Sequence, residues 1–429
     1  MIRRYALHLA ALVLALAIAI AAAACGGGDG GSEEGTGTVS VLSLWGGSEQ
    51  EAFQKVLTQF TADTGIKTKY ETARDFLPVI RSRLAAGNPP MVAIIPRPGI
   101  VSDLATEGSL ISLDDLGLDP DEINQNYSEA WTNLTTVDGT VYGIVAKANS
   151  KSVIWYSPAD DAVQPTQTWD ELLSLTNELK SDPVKPWALG AKDSWTLTDW
   201  FENVYARTAG PEKYDQLFSG EIPFTDPSVS NAIKMMTEML NEETVAGGID
   251  GALGTGFVDG IGQVFSTSPK AHMYMEGGFV GGITIADVNP NVKPGESIDF
   301  YPFVTIDEAQ GEPLVGGGDI TAAFVNNEDV KALIEYLASP EAGEIWVSTG
   351  AIVSPNKGVP ASAYPNDLVK KEAEQVKNAE TFVFDGSDLL PGALGEDWGT
   401  LLQTVLKDPS KVDSSLEEFQ ANAQDAFAG

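Results

Sequence analysis

From Val39 onward, short runs of strand character alternate with segments whose apolar residues recur at helical spacing, and a chain with that alternation is restricted to an α/β fold. Val39-Ser40-Val41-Leu42-Ser43-Leu44 alternates apolar and small polar residues. Ala52, Phe53, Val56, Leu57 and Phe60 then share one face of a helix that Gly65 stops. Ile66, Thr68 and Tyr70 alternate with Lys67 and Lys69 as a second strand. A short helix over 76–84 ends at Gly87-Asn88-Pro89-Pro90, and residues 91–95 form the next apolar strand.

Between the first strand and the first helix stands Trp45-Gly46-Gly47-Ser48-Glu49-Gln50-Glu51. Ser48 and Glu51 have capping-box spacing, so the stretch reads as a strand-to-helix loop. A tryptophan needs somewhere to bury its ring, and glycines let a backbone approach a neighbour closely. In open α/β sheets ligands sit outside the carboxyl ends of the strands, where Trp45, Glu49, Arg74, Asp75 and Arg97 all fall. The expectation is that Trp45 offers a wall to a small ligand at the helix N-terminus.

The middle of the chain continues the pattern. Asp138-Gly139 between two short β-prone runs predicts a hairpin, and residues 152–156 another strand. Thr168 and Glu171 repeat the capping box before a helix to Lys180, and Asp226-Pro227 supplies an N-cap and N1 proline for a helix through Leu240. The glycine-rich residues 245–262 read as a loop.

The N-terminus reads as a targeting segment: Arg3 and Arg4 precede an apolar run over 9–24 that ends in small residues. It resembles a bacterial lipoprotein signal, although Ala22 stands where such signals prefer Leu. The resemblance implies that Cys25, the sole cysteine, is the lipidated residue and that a lipid anchor holds the mature chain to the membrane outside the cytoplasm. Cleavage at an A-x-A site and an uncleaved anchor remain the competing readings. Residues 25–38 contain no large apolar side chain and are expected to be a flexible tether.

With 61 acidic against 26 basic residues, the chain carries a formal charge of −35, which repels nucleic acid and anionic lipid surfaces. Of its two histidines, His8 lies in the signal and His272 in an apolar strand pattern, so neither a Ser-His-Asp triad nor a multi-histidine metal centre is expected. VGGGDI and GTGFVDGIG lack both the Lys-Ser/Thr of a phosphate loop and dinucleotide spacing. No cofactor and no metal are expected.

SVLSLWGGSEQEAF, TGIKTKYETARDF, GNPPMVAIIPRPG, GTVYGIVAKANSKSVIWY, TWDELLSL, WTLTDWFE, KAHMYMEGGF, VGGGDITAAF and YLASPEAGEIW, in this order, resemble the extracellular solute-binding proteins that serve carbohydrate ABC importers, in particular the α-glucoside-binding branch. Met91 departs from the Asp usual after the paired prolines. The resemblance implies a two-lobed periplasmic-binding-protein-like fold of type II, with a hinge and an interlobe cleft. It implies crossings near Ala146-Lys147, near Gly311-Glu312-Pro313 and near Ser354. The N-lobe would comprise 39–147 and 314–353, and the C-lobe 148–313 and 354–429. The implied partners are an oligosaccharide and the ABC transporter permease subunits of a membrane importer, with the receptor itself a monomer.

A sugar presents an apolar ring face and a belt of hydroxyls, so its site needs an aromatic ring together with charged or amide groups. Trp45, Trp195 and Trp200 stand beside polar or glycine-rich turns, whereas Trp346 sits in a helical core pattern. Any one tryptophan is ordinarily core. The charged candidates are Glu49, Arg74, Asp75, Arg97, Glu276, Asp319 and Asp388. Each alone is ordinarily a solvated charge, but Glu276 in MYMEGGF and Asp319 in VGGGDI interrupt apolar or glycine surroundings, where a charge is usually paired or liganded. The alternatives are a lipid-anchored glycosidase working through two carboxylates, which so many acidic residues neither support nor exclude, and a same-fold binding protein for peptides or polyamines.

Overall fold

The computed structural model describes residue 35 and residues 37–428; the signal segment, Cys25 and most of the tether lie outside the described residues. The first strand, β1 (Thr38–Ser43), leads through Trp45 into the helix Gly47–Thr64, and β2 (Lys67–Thr72), the helix Phe76–Ala85 and β3 (Val92–Ile95) follow as the alternation requires. β4 (Thr136–Val137) and β5 (Thr140–Val141) form the expected hairpin, with Asp138 in the left-handed region at φ 51°. The remaining strands are β6 (Gly143–Ser150), β7 (Val153–Tyr156), β8 (Lys185–Trp187), β9 (Ala271–Met275), β10 (Asp299–Pro302), β11 (Leu314–Ala323) and β12 (Phe382–Phe384).

These strands make two main sheets. One runs β12-β11-β3-β1-β2, with β6 on the other edge of β11; the second runs β10-β7-β9-β8. In the first, β1 pairs parallel with β2 and β3, while β11 runs antiparallel to β3 and β6. The period of two in β1 divides its side chains between faces: Val39 and Val41 pack with Phe53, Val56 and Phe60, and Leu42 packs on the opposite face with Phe76 and Ile80. The second sheet has its own cores, one containing Trp187, Trp200 and Phe201, the other Trp155, Tyr274 and Phe300.

The chain passes from the first sheet to the second between Ser150 and Val153, and returns between Pro302 and Leu314. β6 stays paired with β11 through Ser150, past Ala146-Lys147. After Ser354 the chain meets the first sheet once more, where β12 pairs with β11. Residues 245–262 are not the expected loop. They hold the helix Gly248–Gly254 and the start of the helix Phe257–Phe265, whose Ile261, Val264 and Phe265 are buried. Gly260 there is a packing choice, since a Cβ would come within 3.0 Å of the Tyr274 hydroxyl; close approach to β9 overrides the poor helix propensity of glycine.

Candidate functional site

The sheets meet at β6 and the two residues that follow it. Lys147 and Asn149 share one side of the strand by its period of two, and Lys151 stands just past its end in the same phase. Lys147 is directly opposite Asp319 in the β6–β11 register, with its Nζ 3.3 Å from Asp319 Oδ2 and 3.0 Å from Glu49 Oε1. Glu49 is in the first turn of the helix Gly47–Thr64. Burial alone would depress the Lys147 ammonium, but Glu49 and Asp319 outweigh it and raise its pKa above the ordinary lysine value. Burial raises Asp319, and the shared lysine only partly offsets that.

The glycines before Asp319 accommodate this pairing. A side chain at Gly318 would meet the Lys147 carbonyl oxygen at 2.6 Å, and one at Gly317 would strike the Lys151 stem at 2.9 Å. VGGGDI is thus a strand that lets a neighbouring backbone and a buried lysine lie against it.

Lys151 is the hub of a second cluster. Its Nζ lies 3.1 Å from Asp199 Oδ1 and 3.8 Å from Asp388 Oδ2, and contacts Asp385 directly. Asp199 comes from the helix Trp195–Thr208, while Asp385 caps the turn Gly386–Leu389. Nearby, Glu202 accepts from the N–H groups of Gly386 and Ser387 at 2.8 and 3.0 Å and from the Tyr214 hydroxyl at 2.6 Å. Asn203 Nδ2 donates to the Lys151 carbonyl at 2.7 Å. The link between the sheets is therefore tied to two other segments of chain, the helix Trp195–Thr208 and the stretch around Gly386–Leu389. Burial opposes ionisation of Lys151, but Asp199, Asp385 and Asp388 raise its pKa well above the ordinary value. Burial likewise acts on Asp385, yet Lys151 and the hydrogen bonds around it hold this carboxyl below its usual range. Asp388 is driven well above its range by burial and by the charge of Asp385.

Most of the sequence-predicted residues gather around these two lysines, but several do so in other roles. Trp45 is only 2% exposed and packs edge-on against Phe53 and Trp346 at 5.2 Å, with Lys147 Nζ 4.7 Å from its ring centroid. It is a core residue under a lysine rather than an aromatic wall, because the first helix turns its apolar face onto it. Trp200 is fully buried against Trp187. Trp195 is the half-buried one: it packs on Phe257 and Phe279 and has Lys151 Nζ 5.8 Å from its ring centroid. Glu276 is fully buried behind Lys151, not open to a ligand.

Arg97 Nη2 reaches Glu396 Oε1 at 3.1 Å. Arg74 and Asp75 are exposed at the end of β2, Arg74 beside Gly46. The capping box at Ser48 does not form. The helix begins two residues earlier with Gly46 as N-cap, and Ser48 Oγ instead donates to Asp287 Oδ2 at 2.5 Å. His272 is buried as expected, its Nδ1 2.6 Å from Asp160 Oδ2.

Lys147 and Lys151 themselves escaped the sequence reading. The signal was present: two lysines in one phase of GIVAKANSKS, a run otherwise too apolar and small to be a solvated edge. Among the described residues no group of three metal-ligating side chains is placed to hold an ion, and no helix is long and apolar enough to cross a membrane.

Comparison with known proteins agrees with this architecture. Residues 46–344 match the model of the bacterial extracellular solute-binding protein family. The osmoprotective compounds-binding protein GgtB of Synechocystis sp. is 36% identical over 371 residues, which cover 85% of this chain and 87% of that protein. The alpha-glucosides-binding periplasmic protein AglE of Rhizobium meliloti is 33% identical over 381 residues, 83% of this chain and 81% of its own. Among solved structures, the bacterial solute receptor AcbH shares the fold with a TM-score of 0.81 at 20% identity, over 92% of this chain and 100% of its own. With two sheets, each carrying its own cores and joined by crossing strands, and with this likeness along most of its length, the chain belongs to the two-lobed bacterial extracellular solute-binding proteins, receptors rather than enzymes.

Proposed function

We propose that this receptor captures a sugar, an α-glucoside or another oligosaccharide, between its lobes outside the cytoplasm and delivers it to the permease of an ABC importer. The observation that carries the reading is the juxtaposition of Trp195, the half-buried tryptophan, with Asp388 and Lys151 from the second cluster and Glu49, Lys147 and Asp319 from the first. An aromatic face flanked by charged acceptors and donors suits a ring with one apolar face and a belt of hydroxyls. Charged groups hydrogen-bonded to hydroxyls contribute about 1.5–3 kcal/mol each in favourable cases, so a few such bonds support micromolar binding. The names of GgtB and AglE point to osmoprotective compounds and α-glucosides as their ligands, and these are the first compounds to try. Arg74 and Asp75 are exposed just past the end of β2, Arg74 beside Gly46, and are the polar groups we assign to a ligand longer than one ring. A lipid on Cys25 would hold the receptor, as a monomer, beside its permease. Replacing Cys25→Ser should then release the chain into the soluble fraction.

Thermal unfolding against a panel of mono- and disaccharides, with a peptide and a polyamine as further arms, tests the ligand class. A cognate sugar at 100 times its dissociation constant should stabilise the protein by about 2.7 kcal/mol. It should also be recovered intact after incubation. A shift with the polyamine or peptide alone, or release of free monosaccharide in proportion to protein, would overturn the reading.

A further inference from the structure

Two fully buried carboxyl groups behind Lys151 each have one oxygen that no protein N–H or hydroxyl reaches: Asp199 Oδ2, on the helix Trp195–Thr208, and Glu276 Oε1, just past the end of β9. Their other oxygens are occupied. Asp199 Oδ1 receives Lys151 Nζ at 3.1 Å, and Glu276 Oε2 accepts the N–H of Gly277 at 3.2 Å. The two side chains are within hydrogen-bonding contact of each other. A carboxylate only accepts, whereas a carboxylic acid can donate, so this contact is a hydrogen bond only when one partner carries a proton.

The groups that face the pair also leave it short of positive charge. Lys151 comes from the link between the sheets, Asp385 and Asp388 from the segment around Gly386–Leu389, Glu202 from the helix of Asp199 and Tyr274 from β9; Asp193, in the turn before that helix, acts on Tyr274, and Arg97 acts on Asp388. One ammonium shared by Asp199, Asp385 and Asp388 cannot offset so many buried anions. Burial raises Asp199 to about 7 even with Lys151 beside it, and burial followed by the charge of Asp199 drives Glu276 well above the carboxylate range.

We infer that Asp199 and Glu276 hold one proton between their facing oxygens at neutral pH, and that this proton fixes the end of β9 against the Lys151 hub. Glu276 is thereby a positioning residue. The residues that follow it carry the cleft wall: the Gly277 carbonyl accepts Trp155 Nε1 at 3.1 Å, the Gly278 N–H donates to the Ser150 carbonyl at 2.8 Å, and Phe279 packs on Trp195 with ring centroids 6.0 Å apart. Loss of the proton puts two like charges face to face in a dry site and forces the wall away from the hub. The cleft role rests on the proposed binding site; the shared proton does not.

The sign of the pH dependence follows. The folded chain keeps a proton that the unfolded chain releases at ordinary carboxylate pH, about 4. The stability it contributes is fully present below that pH and is lost as pH rises through the raised folded value. The test compares the full chain, without ligand, to Glu276→Gln, whose amide N–H donates to Asp199 as the proton does. Between about pH 4 and the pair's raised folded value the unfolding constant of the wild type should rise by up to about tenfold per pH unit and level off above it, and the variant should lack that component. An infrared difference spectrum at neutral pH should show a protonated-carboxyl band in the wild type that the variant loses. Parallel pH profiles with an unchanged band would overturn the inference, and Asp199→Asn carries the same comparison should Glu276→Gln not fold. Sugar affinity should fall in the wild type alone once pH passes the pair's folded value and the folded chain itself loses the proton. If no sugar binds at all, the ligand reading fails, while the ligand-free profiles still decide the shared proton.

Discussion

Trp45 and Trp195 look alike in sequence, each a tryptophan next to a polar turn, and the structure separates them by what surrounds the ring. Trp45 has Phe53 and Trp346 at its edges, so Trp45→Ala would open a cavity in the first lobe and should cost about 3–5 kcal/mol of stability, measured by denaturant unfolding. Trp195 keeps part of its ring beside Lys151. Trp195→Ala should therefore weaken sugar binding by about tenfold, roughly 1.4 kcal/mol by titration calorimetry, with a smaller loss of stability. If Trp45→Ala unfolded like the wild type but lost affinity, the assignment of the two rings would be reversed. Asp319 was legible because a charge among glycines and apolar residues has few resting places. Lys147 and Lys151 were not, since a lysine in sequence defaults to solvent and only the register of β6 against β11 brings Lys147 opposite Asp319.

At the scale of elements, period and turn chemistry carried most of the fold. The strands and helices between Val39 and Ile95, the Asp138-Gly139 hairpin, and the helices Trp169–Leu179 and Pro227–Met239 all stand within a residue or two of where local signals placed them. The failures share a physical cause: contacts distant in sequence overrode local preference. Glycines over 245–262 suggested a loop, yet packing of the helix Phe257–Phe265 on Tyr274 overrode that local signal. Two Ser/Thr-x-x-Glu motifs show the same contrast. At Thr168 the box forms in both directions, with the Glu171 N–H donating to Thr168 Oγ1 at 3.3 Å and Glu171 Oε2 accepting the Thr168 N–H. Thr168→Ala should cost about 1 kcal/mol in unfolding free energy. Ser48→Ala removes no cap and should stay within about 0.5 kcal/mol of wild type. Equal losses from both substitutions would show that the Ser48 hydroxyl caps its helix in solution after all.

At the scale of the whole molecule, the hydroxyl that does not cap has a partner in the other lobe. Ser48 reaches Asp287 in the π-turn Thr284–Val288, which packs with the helix Phe257–Phe265, and Arg97 reaches Glu396 at the start of the helix Leu394–Lys407. Both contacts join loops of the first sheet to helices packed with the second, so they hold the two halves together and stabilise neither half by itself. Rim contacts between exposed groups are worth about 0–1 kcal/mol each, and a contact that exists only on closure shifts the population by no more than its own free energy. The double variant Asp287→Ala, Glu396→Ala should therefore raise the dissociation constant of the cognate sugar by less than about thirtyfold, roughly 2 kcal/mol. That loss should lie in the dissociation rate, because the open receptor still meets its ligand unchanged. The ligand-free unfolding midpoint should not move. A variant that binds and releases at wild-type rates would show that closure is driven by the ligand and the Lys147 and Lys151 clusters alone, with the rim contacts following passively.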